Sequence, residues 1–211
     1  MPVRSNVFIS ALGAVVITVT TAPFADASST ALPSSPDSSS VDLPGRSDVP
    51  YEIWQKDVQE VAHRASAYLH ARTRSLKPSE RAAIVLDIDN SALETAYADE
   101  LPIPPVQAVL QVVVAARSNG VKIFFVTART EIADAATKAN LRHAGYPVDG
   151  LYSRPVTKAL ESPAEFKTAK RKEIERDGYT IVANIGNTVT DLVGGHAERA
   201  FKLPDYDGKL W

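Results

Sequence analysis

Residues Ala82–Leu86 are five apolar side chains in succession, and they run straight into Asp87-Ile88-Asp89. A strand with one wet face alternates apolar and polar residues, whereas an unbroken apolar run must be covered on both faces, as in a parallel sheet. Val121–Val126 and Tyr179–Ala183 read as further buried strands, with a small strand at Ala200–Leu203. The segments around them carry helical periodicity. Tyr51–Arg74 places Trp54, Val58, Val61, Ala65, Tyr68 and Leu69 on one stripe. Pro104-Pro105 opens a helix bearing Val106, Val109, Leu110 and Val113, with Gly120 as its C′ residue. A third helix runs from about Glu131 to His143 and stops at Gly145. Ser162-Pro163-Ala164-Glu165 has the form of a capping box opening a helix to Asp177, which Gly178 ends, and a short helix follows near Asp191. Strands alternating with helices predict an α/β fold with a parallel sheet covered on both faces.

In such sheets ligands bind beyond the carboxyl ends of the strands. Those ends carry Asp87-x-Asp89-x-Ser91, Thr127-Ala128-Arg129 and Gly186-Asn187-x-x-x-Asp191. Two carboxylates at a strand end can share one small volume, where one can attack phosphorus, the other shuttle protons, and both hold a hard cation. Alone, the pair also fits a calcium loop or a sugar-nucleotide DxD site, with Ser91 capping the following turn. The Thr127 hydroxyl can donate to a phosphoryl oxygen or cap the next helix. Lys167 stands near a helix start, where a cation opposes the macrodipole unless an anion is close; the other reading is a solvated face with Lys170, Arg171 and Lys172. Asp191 suits a divalent cation or the cap of the short helix.

Composition bounds the rest. A net charge of -2 gives no hint of a nucleic-acid-binding surface. With no Cys anywhere, thiol nucleophiles, thiolate metal sites and disulfides are excluded. Arg4, the apolar stretch Val7–Val19 and Ala25-Asp26-Ala27 have the pattern of a signal peptide over residues 1–27, too short and too rich in hydroxyls for a spanning helix. The expectation is export, with no stable membrane anchor after cleavage. Residues 28–48, rich in Ser, Pro and Asp, read as a flexible leader, and residues 49–211 as one domain.

Taken in order, Asp87-Ile88-Asp89-Asn90-Ser91, Phe124-Phe125-Val126-Thr127-Ala128-Arg129, Phe166-Lys167-x-x-x-Arg171 and Gly186-Asn187-x-x-x-Asp191-Leu192 resemble the four signatures of the haloacid dehalogenase (HAD) superfamily. Within it the chain is similar to secreted class III and class B-type acid phosphatases and to plant vegetative storage proteins. The resemblance implies a Rossmannoid three-layer sandwich with a parallel sheet and a small or absent cap. It implies a magnesium-dependent phosphomonoesterase, with Asp87 as nucleophile and Asp89 as general acid/base. Thr127 and Lys167 would hold the phosphoryl oxygens of a small-molecule phosphomonoester. Magnesium would sit among Asp87, the Asp89 carbonyl, Asn187 and Asp191.

Two features depart from the pattern. Asn187 stands where the family usually carries Asp, which implies weaker metal binding. The connection Glu94–Pro105 is short, so Tyr97–Pro104 forms only a rim and specificity is expected to be broad. Arg129 braces the site, touches substrate or makes a structural salt bridge, and Arg171 is expected to pair with an acidic neighbour. The same residues serve a phosphotransferase equally, and a catalytically weak storage or binding protein on this fold is the alternative. The chain has no Arg-His-Gly sequence and no His immediately following Gly186-Asn187, which argues against other phosphatase chemistries. The sequence assigns no oligomeric state.

Overall fold

The computed structural model describes residues 47–158 and 160–210. The signal-peptide segment and the leader up to residue 46 lie outside the described residues. The elements run α1 (Tyr51–Thr73), β1 (Ala82–Leu86), α2 (Gln107–Ser118), β2 (Lys122–Thr130), α3 (Asp134–His143), β3 (Gly150–Arg154), α4 (Pro163–Arg176), β4 (Thr180–Gly186), α5 (Val189–Leu192) and β5 (Ala200–Lys202). All strand pairs are parallel, in the order β3-β2-β1-β4-β5. β1 is central, and the order reverses between β1 and β4, the point at which an open sheet of this kind leaves a crevice.

Side-chain parity along β1 builds the layers. Ile84, Leu86 and Ile88 pack with α1, α2 and Leu141 of α3 in one core, whereas Ala83 and Val85 pack with Phe166 and Ile174 of α4 in another. Alternation in an extended chain sends odd and even residues to opposite faces, so Asp87 follows Ala83 and Val85 toward α4. The result is the expected three-layer α/β sandwich.

Several expectations need correction. β3 was not evident in the sequence: Gly150–Arg154 is half-buried throughout and lacks an apolar run. Glu131–Ala133 is a separate 3₁₀ turn before α3. Ser162 makes no side-chain cap on α4, so the expected capping box is absent, and Pro163 at the first turn starts the helix instead. The capping box lies at Thr188 and Asp191 on α5. Ser47, assigned to the leader, donates to the Lys209 carbonyl at 3.2 Å.

The rim segment is anchored through Glu94, which is buried and accepts from Tyr51 Oη at 3.0 Å and Gln55 Nε2 at 2.6 Å. Burial pushes its carboxyl above the usual glutamate range, against the pull of those two donors. The fold therefore prefers the protonated acid, and ionisation weakens it as pH rises through that range. Glu94→Gln keeps an acceptor for both donors. It is expected to raise the melting temperature at pH 7 by about 2 °C and to lose that gain at pH 4, as calorimetry at the two pH values would read.

Candidate active site

The turn after β1 sets two of the site residues. The Asp87 amide still pairs with the Ile185 carbonyl at 3.0 Å, so the β1–β4 ladder reaches the site. Ile88 is fully buried, which leaves Asp87 and Asp89 on the opposite side of the chain. Beyond them the chain doubles back: Ala92 and Leu93 both donate to the Ile88 carbonyl at 2.9 Å. Asn90 sits at φ 53°, where Asn is better tolerated than most residues, and its Oδ1 accepts the Ala96 amide at 2.7 Å.

Asp87 reaches α4 as its parity requires. Lys167 Nζ donates to Asp87 Oδ1 at 2.6 Å and to Asp191 Oδ1 at 2.5 Å, with all three side chains almost entirely buried. The ammonium so close to the start of α4 is thus explained by two carboxylates. Asp191 Oδ2 accepts the Thr188 amide at 2.7 Å, and a Cβ at Gly186 would overlap the Asp191 carboxylate. Ser91 joins the two strand ends: its hydroxyl stands 3.1 Å from both Asp87 Oδ2 and Asn187 Oδ1, and it accepts the Asn187 amide at 3.0 Å. Burial pushes the Asp87 carboxyl up to about 6, Lys167 opposing and Asp191 reinforcing the rise. Lys167 is raised, because the two carboxylates outweigh the downward push of its own burial.

Asp89 lies in a different environment. Arg129 Nη2 and Nε approach it at 2.6 and 3.1 Å, and Thr95 Oγ1 donates at 2.9 Å. Burial pushes this carboxyl up, but the Arg129 bonds and charge, with Thr95, hold it below the usual aspartate range. Arg129 is therefore a salt-bridge partner of the second carboxylate. It reaches that place through an irregularity in β2: Val126 pairs with Tyr152 and Thr130 with Arg154, so four residues on β2 span two on β3. Such a bulge re-aims side chains, here Thr127-Ala128-Arg129. Thr127 is fully buried, and its Oγ1 accepts the Arg129 amide at 3.1 Å; no hydrogen bond joins it to Asp87, Lys167 or Asp191.

Arg171 corrects its expectation. Fully buried, it has no carboxylate partner among the described residues and donates to backbone carbonyls: Asp191 at 2.7 Å, Gly195 at 2.8 Å, and Val193. Asn184 Nδ2 also donates to the Asp191 carbonyl, at 2.8 Å. Lys167 and Arg171, four residues apart on α4, thus hold the carboxylate and the carbonyl of the same aspartate.

The donor set can be tested against a metal. Among the described residues no three acidic or His side chains group closely enough to hold one. Lys167 stands between Asp87 and Asp191, and Arg129 is paired with Asp89. What remains is oxygen-rich: Asp87 Oδ2 and Asn187 Oδ1 converge on Ser91, and the Asp89 carbonyl accepts no hydrogen bond among the described residues. Two side-chain oxygens and a backbone carbonyl are the hard donors that magnesium takes.

The sheet order and the motifs at Thr127, Lys167 and Asn187–Asp191 agree with one family, whose matched span begins after Asp87–Ser91. The family model for HAD superfamily, subfamily IIIB acid phosphatases matches residues 97–209, more than half of the 211-residue chain, and the chain belongs to that family. A soybean (Glycine max) stem 28 kDa glycoprotein is 40% identical over 92 residues, covering 42% of this chain and 36% of that protein. Acid phosphatase 1 of tomato (Solanum lycopersicum) is 32% identical over 88 residues, covering 41% and 34%. The aligned stretch thus spans about a third of each relative. The class C acid phosphatase from Bacillus anthracis superposes with a TM-score of 0.59 at 16% identity, over 74% of this chain and 80% of that one. Its tungstate-bound form gives 0.58. These two share the fold.

Proposed function

We propose that the protein is an exported, magnesium-dependent phosphomonoesterase of broad specificity that works through an aspartyl-phosphate. The observation that carries this reading is Lys167 bridging Asp87 and Asp191 at the β1/β4 switch point, with Asp89 beside them. An Asp87 oxygen attacks phosphorus, forms the acyl-phosphate bond and expels the alcohol oxygen, to which Asp89 gives a proton. Asp89 then takes a proton from water, whose oxygen attacks phosphorus and releases Asp87. As it stands Asp89 is a base; an incoming phosphoryl dianion competes for Arg129, and a carboxylate freed of that cation takes up a proton more readily. Lys167 and Thr127 bind the equatorial oxygens, where charge gathers in a loose transition state.

Charge supports the metal. Lys167 and Arg129 balance two of the three carboxylates Asp87, Asp89 and Asp191, so a dianionic substrate meets a cluster still negative by one. Magnesium, held by Asp87, the Asp89 carbonyl and Asn187 with Asp191 behind, would neutralise phosphoryl charge. Asn187→Asp adds a carboxylate beside Asp87 and is expected to lower the magnesium concentration for half-maximal activity about tenfold; an unchanged requirement would remove Asn187 from the ligand set.

Export rests on the signal-like pattern of residues 1–27, and among the described residues no helix is long and apolar enough to cross a membrane. The alternative of a catalytically weak storage or binding protein draws on Asn187, while Asp87, Asp89, Thr127 and Lys167 favour the enzyme. Hydrolysis of p-nitrophenyl phosphate with and without magnesium tests the reading. No turnover with the metal present would overturn it, and formation of a phosphorylated alcohol in place of free phosphate would make the protein a transferase.

A further inference from the structure

A cavity of about 510 Å³ opens at Arg129, the ion-pair partner of Asp89. Leu101, Pro102 and Ile103 of the rim form one wall and Ala133, Ala136 and Ala139 the other. Arg129 lines it too, and the same guanidinium is bonded to Asp89 and, at 3.3 Å, to Thr137 Oγ1. The cavity is built rather than incidental. Asn140, almost fully buried on α3, accepts the Ile103 amide at 2.9 Å and donates to the Ile103 carbonyl at 2.7 Å, fixing the rim to the helix. Its volume lies within the range of small-molecule pockets.

We infer that this cavity is the leaving-group subsite and that it favours esters of flat, apolar alcohols. The inference rests on the phosphomonoesterase reading. If Asp89 protonates the leaving oxygen, that oxygen lies within hydrogen-bond reach of it. The carbon attached to it then lies beside Arg129 and enters the cavity Arg129 borders. There an aromatic ring meets aliphatic walls and the face of a guanidinium, which stacks on rings. A polyol fares worse. Asn140 spends both side-chain groups on Ile103, Thr137 accepts from Arg129, and of the polar side chains lining the cavity only the His143 ring has no hydrogen bond among the described residues. The open rim admits many phosphomonoesters, and the cavity ranks them.

The test compares 2-phenylethyl phosphate with ethyl phosphate, esters of alcohols of similar acidity, so that the chemical step is matched. The phenylethyl ester is expected to show kcat/KM about tenfold higher or more, from burial of the ring. Ala136→Gln and Leu101→Ser place polar groups on the two walls at exposed positions, where the fold tolerates them, and each is expected to cut that ratio several-fold. Hydrolysis of both esters with equal kcat/KM overturns the subsite and leaves the phosphatase reading standing. A preference that survives both substitutions overturns its assignment to this cavity. Hydrolysis of neither ester overturns both readings.

Discussion

Asp87→Asn is expected to abolish hydrolysis of p-nitrophenyl phosphate, lowering kcat by about 10³-fold or more. The amide cannot form the acyl-phosphate, and what remains is positioning by Lys167 and the neighbouring groups. The fold should survive. The substituted side chain would retain an oxygen for Lys167 Nζ and one polar group facing Ser91, and Lys167 keeps Asp191. The wild-type carboxyl, moreover, is a cost to the fold once ionised. Burial raises it to about 6, so the native state binds its proton more tightly than the unfolded chain does. That preference erodes stability as pH rises from the ordinary aspartate range toward 6, and the substitution removes the erosion. At pH 8 the variant should therefore melt at or above the wild-type temperature while being inactive. Activity comparable to wild type would sink the nucleophile assignment. Inactivity together with a large fall in melting temperature at pH 8 would show that Asp87 is needed for the fold, and the kinetic result would then say nothing about chemistry.

Much of this site can be read before any coordinates. The apolar run ending at Asp87 is enough to require a covered strand; the structure then shows that Ala83 and Val85 face α4, so that Asp87 meets Lys167. Lys167 was legible because a cation near a helix start needs an anion to justify it. What stayed hidden depends on long-range pairing. Arg171 looks like one more charge in a basic run, and only the loop Asp191–Gly195 folding over α4 shows its donors spent on carbonyls. β3 lies at the sheet edge with an apolar stretch too weak to register. Arg129 reaches Asp89 only because β2 bulges, and a bulge leaves no fixed mark on composition. Thr188-x-x-Asp191 was the exception: a capping-box pattern present in the sequence, whose closure explains why Asp191 is held so firmly.

Lys167→Met should cost the fold more than any other single change at the site. The substitution keeps the volume and removes the cation between Asp87 and Asp191, leaving two buried carboxylates face to face. Breaking a buried pair by deleting one partner costs about 3–5 kcal/mol, or roughly 10 °C in melting temperature for a domain of this size. The pH dependence follows from the same charges. Without the ammonium, burial and the Asp191 charge push Asp87 further upward, so the native state takes up a proton that the unfolded chain does not. The deficit relative to wild type should therefore be small below about pH 3, where Asp87 is largely protonated in both the folded and the unfolded chain, and grow as pH rises toward 8. Magnesium supplies the complementary check. A divalent cation drawn to the uncompensated negative charge can replace part of what the ammonium contributed, so saturating magnesium should raise the melting temperature of the variant more than that of wild type. Activity should remain low even then, since the metal does not restore the donor that binds the transferring phosphoryl group. A variant as stable as wild type at pH 8, with no extra response to magnesium, would show that Lys167 is not the charge holding the two carboxylates together.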